Sequence, residues 1–126
     1  MVRSIAVGAL ALVTGCSGGF EQTPTSPAVG YLEQPADLKR GRLLFTGTCG
    51  GYCHPTNPGN RDSPYLFDCN WKNGGSDGDL FVSISAGVPG TRMPRYGGKL
   101  PQRDRDIWRL IAYIRSKEMC GAPTVD

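Results

Sequence analysis

The sequence predicts an all-α, loop-rich domain of about three main helices, and three observations carry that prediction. Three stretches place apolar residues at helical spacing. No stretch alternates apolar and polar side chains, as a half-buried strand would, for more than a few residues. Eighteen glycines and ten prolines in 126 residues leave much of the chain to loops. A loop-rich domain of this size needs a staple, which disulfides, a metal or a large cofactor can provide.

The first helix is expected from Ala36 to Phe45, with Leu38, Leu44 and Phe45 apolar and Asp37 favourable near the positive end of the helix dipole. Gly41 interrupts it at a cost of about 1 kcal/mol relative to alanine, so a close backbone approach by another element is its expected reason. The second helix is expected to begin at Ser76, where Asp79 stands three residues later in capping-box spacing, and to end at Gly87. The third runs from Asp104 to Lys117. Its Ile107, Trp108, Leu110, Ile111 and Ile114 form one apolar stripe with basic residues opposite.

The N-terminus reads as an export leader rather than as fold. Arg3 precedes an apolar run from Ile5 to Val13, too short to span a bilayer. Val13-Thr14-Gly15-Cys16 resembles a bacterial lipobox, which implies cleavage before Cys16 and lipid on that cysteine. The alternative is an ordinary signal cleaved nearby. Residues 17–35, rich in Gly, Ser, Thr, Pro and Gln, read as a tether with a reach of about 20–25 Å. The division expected is thus 1–15 lipoprotein signal, 16–35 lipidated N-terminus and flexible tether, 36–120 one folded domain, and 121–126 a tail. The formal charge of +3 is spread along the chain. No basic cluster is dense enough for nucleic-acid binding.

The chemistry concentrates in Cys49-Gly50-Gly51-Tyr52-Cys53-His54. Two close thiols followed at once by a histidine suit covalent haem: each thiol bonds one vinyl group, and the imidazole reaches the iron from the same face. The usual signature is C-x-x-C-H. Here one more residue separates the cysteines, and Gly50 and Gly51 are expected to let it bulge without a Cβ penalty. If either thioether fails, it is expected to be that of Cys49. A Cys49–Cys53 disulfide or a zinc site are the alternatives. Zinc would need four well-spaced ligands, and His54 is the chain's one histidine. A redox disulfide would be expected within a βαβ pattern, which is missing here.

With one histidine, the second axial ligand is expected to be a methionine. Met93 lies in the glycine- and proline-rich loop Gly87-Val-Pro-Gly-Thr-Arg-Met93-Pro94, and Met119 lies beyond the last helix. Met93 is the better placed. Filling both axial positions favours electron transfer over catalysis, so the chain is expected to be a carrier rather than an enzyme. The rival is a haem enzyme or gas sensor with an open axial site.

Residues 36–118 resemble class I cytochrome c. The resemblance rests on Asp37-Leu-Lys-Arg-Gly41-Arg-Leu-Leu-Phe45, the haem motif, Trp71 through Phe81, the Met93 loop, and Asp106-Ile-Trp108 through Ser116. It implies one haem c in a cytochrome c-like domain, with His54 and Met93 on the iron. It also implies that Gly41 and the aromatic of the first helix pack against an aromatic of the last, expected to be Trp108. Ser63-Pro64-Tyr65-Leu66 is similar to the family's Gly-Pro-x-Leu, which makes the Pro64 carbonyl the acceptor for the His54 ring. Relatives include the partners of periplasmic dehydrogenases. A redox donor of that kind, an oxidase or another cytochrome as acceptor, and a location on the periplasmic side of a bacterial membrane are therefore expected.

Trp71, Arg92 and Tyr96 are candidates for the haem propionates, although packing or solvent exposure would explain them equally. Tyr52, Pro55, Gly90 and Arg92 are candidate rim residues for a docking partner. Cys69 and Cys120 remain once the lipid and haem cysteines are assigned. In an oxidising compartment a disulfide between them is expected, with two buried free thiols as the alternative.

Overall fold

The computed structural model describes residues 25–59 and 62–120. The expected signal, Cys16 and the tail 121–126 lie outside the described residues. Among the described residues there are four α-helices, α1 (Pro27–Leu32), α2 (Pro35–Leu44), α3 (Asp77–Ala86) and α4 (Asp104–Lys117), with a π-helical turn at Phe45–Gly50. No strand occurs among the described residues, and none of their helices is long and apolar enough to cross a membrane.

The expectation of a tether through residue 35 is corrected by α1. Ser26 caps its N-terminus by accepting from the Ala28 amide at 3.1 Å, and Pro27 supplies a preset φ at the first turn. Ala28 is fully buried, and α1 packs against α4. Arg109 lies 5.4 Å from the centroid of the Tyr31 ring, a cation–π contact that fixes the same junction. The segment looked like linker because its apolar residues are few. Tertiary contact supplies what its composition lacks.

Helix α4 is the hub, contacting α1, α2 and α3. Its stripe is buried at Ile107, Leu110, Ile111 and Ile114, joined by Ala112. Burial of each large aliphatic side chain is worth roughly 1.5–3 kcal/mol. Gly41 marks the α2–α4 crossing: a Cβ there would lie 2.2 Å from the Arg109 carbonyl oxygen. The approach expected at Gly41 is present, but its aromatic partner is not Trp108. Phe45 is fully buried and packs on Tyr113 and Phe67, with ring centroids 5.4 and 5.3 Å apart. Trp108 instead stacks on Phe81 of α3 at 4.5 Å. The helical period decides this. Residues 109 and 113 lie one turn apart on the face toward α2, and residue 108 is rotated about 100° from 109.

A buried ionic knot reinforces the crossing. Asp106 is fully buried and accepts from Arg40 Nε at 2.6 Å, Arg40 Nη2 at 2.7 Å, Arg109 Nη1 at 3.2 Å and the Gln102 amide at 2.9 Å. Arg109 also donates to Asp37 at 2.6 Å. Charges from α2 and α4 thus neutralise one another around a fully buried carboxylate. At the other end of the molecule, Ser76 and Asp79 form the expected capping box of α3.

Candidate haem-binding site

The thiol turn follows directly from α2. At Phe45 the helix widens into the π turn, and both the Cys53 and the His54 amides donate to the Cys49 carbonyl, at 3.2 and 2.9 Å. In C-x-x-C-H the histidine is four residues from the first cysteine, the spacing of an α-helical hydrogen bond. The extra residue makes it five, the spacing of a π-helical bond. The Cys49–His54 bond, of π spacing and just beyond the π turn, therefore absorbs the insertion while keeping the histidine amide on the first cysteine's carbonyl.

The two glycines spare the turn a Cβ penalty, as expected, and do so through space rather than through a positive φ. Gly51 has φ −69 and ψ −31, and Gly50 is not among the positive-φ residues. What they provide is space. A Cβ on Gly50 would lie 2.9 Å from Phe45 Cε1, and one on Gly51 would lie 3.1 Å from the Thr46 carbonyl oxygen. The wide turn draws its own backbone against the buried ring.

Cys49 and Cys53 are not joined to each other. Cys49 packs against the core, and burial, aided by the nearby Cys53, pushes its thiol up to about 11. Cys53 and His54 line a cavity of about 310 Å³, within the range of ligand-binding clefts. His54 is buried, and its Nδ1 donates to the Pro64 carbonyl at 2.9 Å. That bond holds the proton on Nδ1 and leaves Nε2 with its lone pair free for a metal.

Met93 lines the same cavity, held by the loop after α3. Gly87 ends α3 at φ 76, and a Cβ there would lie 2.8 Å from the Met93 carbonyl oxygen and 2.9 Å from the Arg95 amide nitrogen. The Met93 amide donates to Thr91 Oγ1 at 3.1 Å, and its carbonyl accepts from Val88 at 3.3 Å. Past the loop, the amides of Tyr96 and Gly97 donate to the carbonyls of Ile84 and Ser85, tying the chain back to α3. Leu66, Leu80, Ile84, Val88 and Ile114 supply apolar walls. An imidazole with one free nitrogen, a thioether and a thiol around an apolar cavity form a donor set that fits a covalently held haem.

The other expected residues divide. Trp71 and Arg92 line the cavity, whereas Tyr96 is not among its lining residues. Tyr96 lies instead near the cysteines: burial first, and then the proximity of Cys49 and Cys53, raises its phenol pKa. Arg92 is exposed and paired at 3.1 Å with exposed Asp62, which also lines the cavity. Tyr52 and Gly90 are exposed beside the thiol turn and in the Met93 loop. Pro55 is buried beside His54 and is removed from the rim, and the chain is exposed again from Thr56. Cys69 and Cys120 are joined in a disulfide, with Cα atoms 5.4 Å apart. Sequence reasoning missed Arg115, which lies over Trp71 with its guanidinium carbon 5.5 Å from the ring centroid. Its position on the polar side of the α4 stripe gave no signal.

No protein-family model matches the chain, and no curated protein matches it. Among solved structures it is similar to the crystal structure of cytochrome CL from the marine methylotrophic bacterium Methylophaga aminisulfidivorans MPT. The match has a TM-score of 0.62 and 24% identity, covering 88% of this chain and 75% of that one. The helices around α4, the thiol turn and the cavity between His54 and Met93 belong, on that likeness, to a chain with the cytochrome c fold.

Proposed function

We propose that this chain is a mono-haem c-type cytochrome that passes single electrons between redox proteins. The observation that carries the reading is the pairing of His54, oriented by Pro64, with Met93 around one apolar cavity that Cys53 also lines. Cys49 and Cys53 would attach haem c covalently, and His54 and Met93 would be the axial ligands. Haem, when bound, supplies a one-electron iron couple. The chain's own residues do the rest. The Pro64 carbonyl holds the imidazole in one tautomer and orientation, which favours a fixed ligand bond. The backbone of Gly87–Met93 holds the thioether, and the apolar walls keep water away. A filled coordination sphere leaves no position for a substrate, so the reading is a carrier rather than an enzyme.

The setting of the reading is a periplasmic one. The domain would be anchored through lipid on Cys16, receive electrons from a donor such as a periplasmic dehydrogenase, and pass them to an oxidase or another cytochrome. The cytochrome CL likeness supports a haem carrier in general.

The test is spectroscopic. Pyridine haemochrome analysis of the purified protein is expected to find one covalent haem, and the ferric form to show the long-wavelength methionine-to-iron charge-transfer band. A high-spin ferric spectrum with rapid CO binding to the reduced protein would instead identify an enzyme or gas sensor with an open axial site. Absence of covalent haem would end both readings.

A further inference from the structure

Residues 66–74 form one wall of the cavity, with Leu66, Asn70, Trp71 and Gly74 among its lining. This wall contains no helix or strand. Irregular chain lacks a ladder of backbone hydrogen bonds, so its shape depends on anchors from elsewhere. The anchors converge on the end of α4. The Met119 amide donates to the Phe67 carbonyl at 2.8 Å, and the Cys69–Cys120 disulfide closes the same junction.

Arg115 makes the most extensive of these ties. Its Nε donates to Asp77 Oδ1 at 2.6 Å, its Nη1 to Glu118 Oε1 at 2.5 Å, and its Nη2 to the Gly75 carbonyl at 2.5 Å. Its guanidinium also lies against the Trp71 ring, and the side chain is 19% exposed. One residue thus joins the first turn of α3, the end of α4, the backbone after the wall and the wall's aromatic ring. None of these contacts is needed to form α4 itself.

The geometry points to Arg115 as a positioning residue of the haem site, holding Trp71 and the 66–74 wall against the group in the cavity. This inference rests on the haem reading above. The task requires a planar fork. A guanidinium reaches a carboxylate, a carbonyl and an aromatic face together, whereas a lysine ammonium is a compact point charge on a flexible stem. A loosened wall admits water, and solvent exposure is one of the factors that set a haem potential. Water favours the more highly charged ferric state, so the potential falls.

The experiment compares Arg115→Lys, Arg115→Gln and a control, Arg105→Gln, in the full holoprotein. The control removes an exposed positive charge of α4 at a residue that does not line the cavity. Two quantities are read: amide hydrogen exchange across residues 66–74, and midpoint potential by redox titration. Both Arg115 variants are expected to speed exchange at least about tenfold and to shift the redox equilibrium about tenfold toward ferric, ~59 mV for one electron. The control is expected to move neither.

Wild-type behaviour of Arg115→Lys in both readouts would overturn the inference, since charge alone would then suffice. Unchanged exchange in both variants would also overturn it. So would faster exchange with an unmoved potential, or an equal potential shift in Arg105→Gln. If the wild-type protein carries no haem, the haem reading fails on its own account. The exchange rates then decide whether Arg115 holds the wall, and its role toward haem falls with that reading.

Discussion

Replacing Asp106 by asparagine tests the knot that sets α2, and with it the thiol turn, onto α4. The carboxylate is fully buried and accepts from both Arg40 and Arg109. The Arg40 hydrogen bonds, foremost among its contacts, hold its carboxyl at about 2 against an ordinary value of 3.8. Each tenfold in acidity is worth ~1.4 kcal/mol, so the knot contributes about 2–3 kcal/mol at neutral pH. The folded value lies below the unfolded one. The stabilisation is therefore complete above about pH 5 and is lost as pH falls through about 4 toward 2. Asp106→Asn removes the charge and turns an amide donor toward guanidinium donors. Breaking a buried pair costs ~3–5 kcal/mol. The side chain of Arg40 is 34% exposed, so water compensates part of that and the lower end, about 3 kcal/mol, is expected. Urea titrations followed by far-UV circular dichroism at several pH values measure both quantities. The stability gap between wild type and variant should narrow on acidification. A gap below about 1 kcal/mol at neutral pH, or curves that fall in parallel between about pH 5 and 2, would refute the reasoning.

Four further outcomes are expected. Met93→Ala should give a high-spin ferric spectrum and CO binding in the reduced state, since the loop's one thioether at the cavity is gone; an unchanged low-spin methionine band would count against Met93 as ligand. Gly87→Ala forces φ 76 on a Cβ that meets the Met93 carbonyl, and should cost ~1–3 kcal/mol in urea while weakening the methionine band. Replacing both Cys69 and Cys120 by alanine opens a loop of sequence separation 51, and the chain-entropy relation gives about 4 kcal/mol for that change. A thermal-unfolding midpoint that does not move would contradict it. Deleting Gly51 restores C-x-x-C-H and should shorten the Cys49–His54 bond from π to α spacing. Intact mass should then show haem retained with neither thiol free to alkylate.

How much of the site was legible follows from how local each feature is. The motif at Cys49, Cys53 and His54, the loop methionine and the α3 capping box are short-range patterns whose chemistry is set by residue type and spacing. Gly41 was readable as a close approach, because a glycine inside a helical stripe needs a steric reason. The identity of its neighbour was not, because the rotation of α4 chooses Tyr113 over Trp108 and sends Trp108 to Phe81. Helix α1 escaped notice for a related reason: its burial comes from the side of α4, not from its own apolar content.

The sequence by itself determined the helical class, the thiol–imidazole motif with its extra residue, and Met93 as the candidate methionine, because these depend on periodicity and on the chemistry of a few side chains. Only the tertiary structure decided how the extra residue is accommodated. An insertion of one residue can be looped out or wound in. Phe45, buried against Phe67 and Tyr113, leaves room for a wide turn only where Gly50 carries no Cβ, and Gly51 does the same beside the Thr46 carbonyl. The same holds for Pro55, buried rather than on the rim, and for Arg115. Three of its four partners, Trp71, Gly75 and Asp77, lie 38 to 44 residues away in the chain and meet it only when the end of α4 reaches the cavity wall.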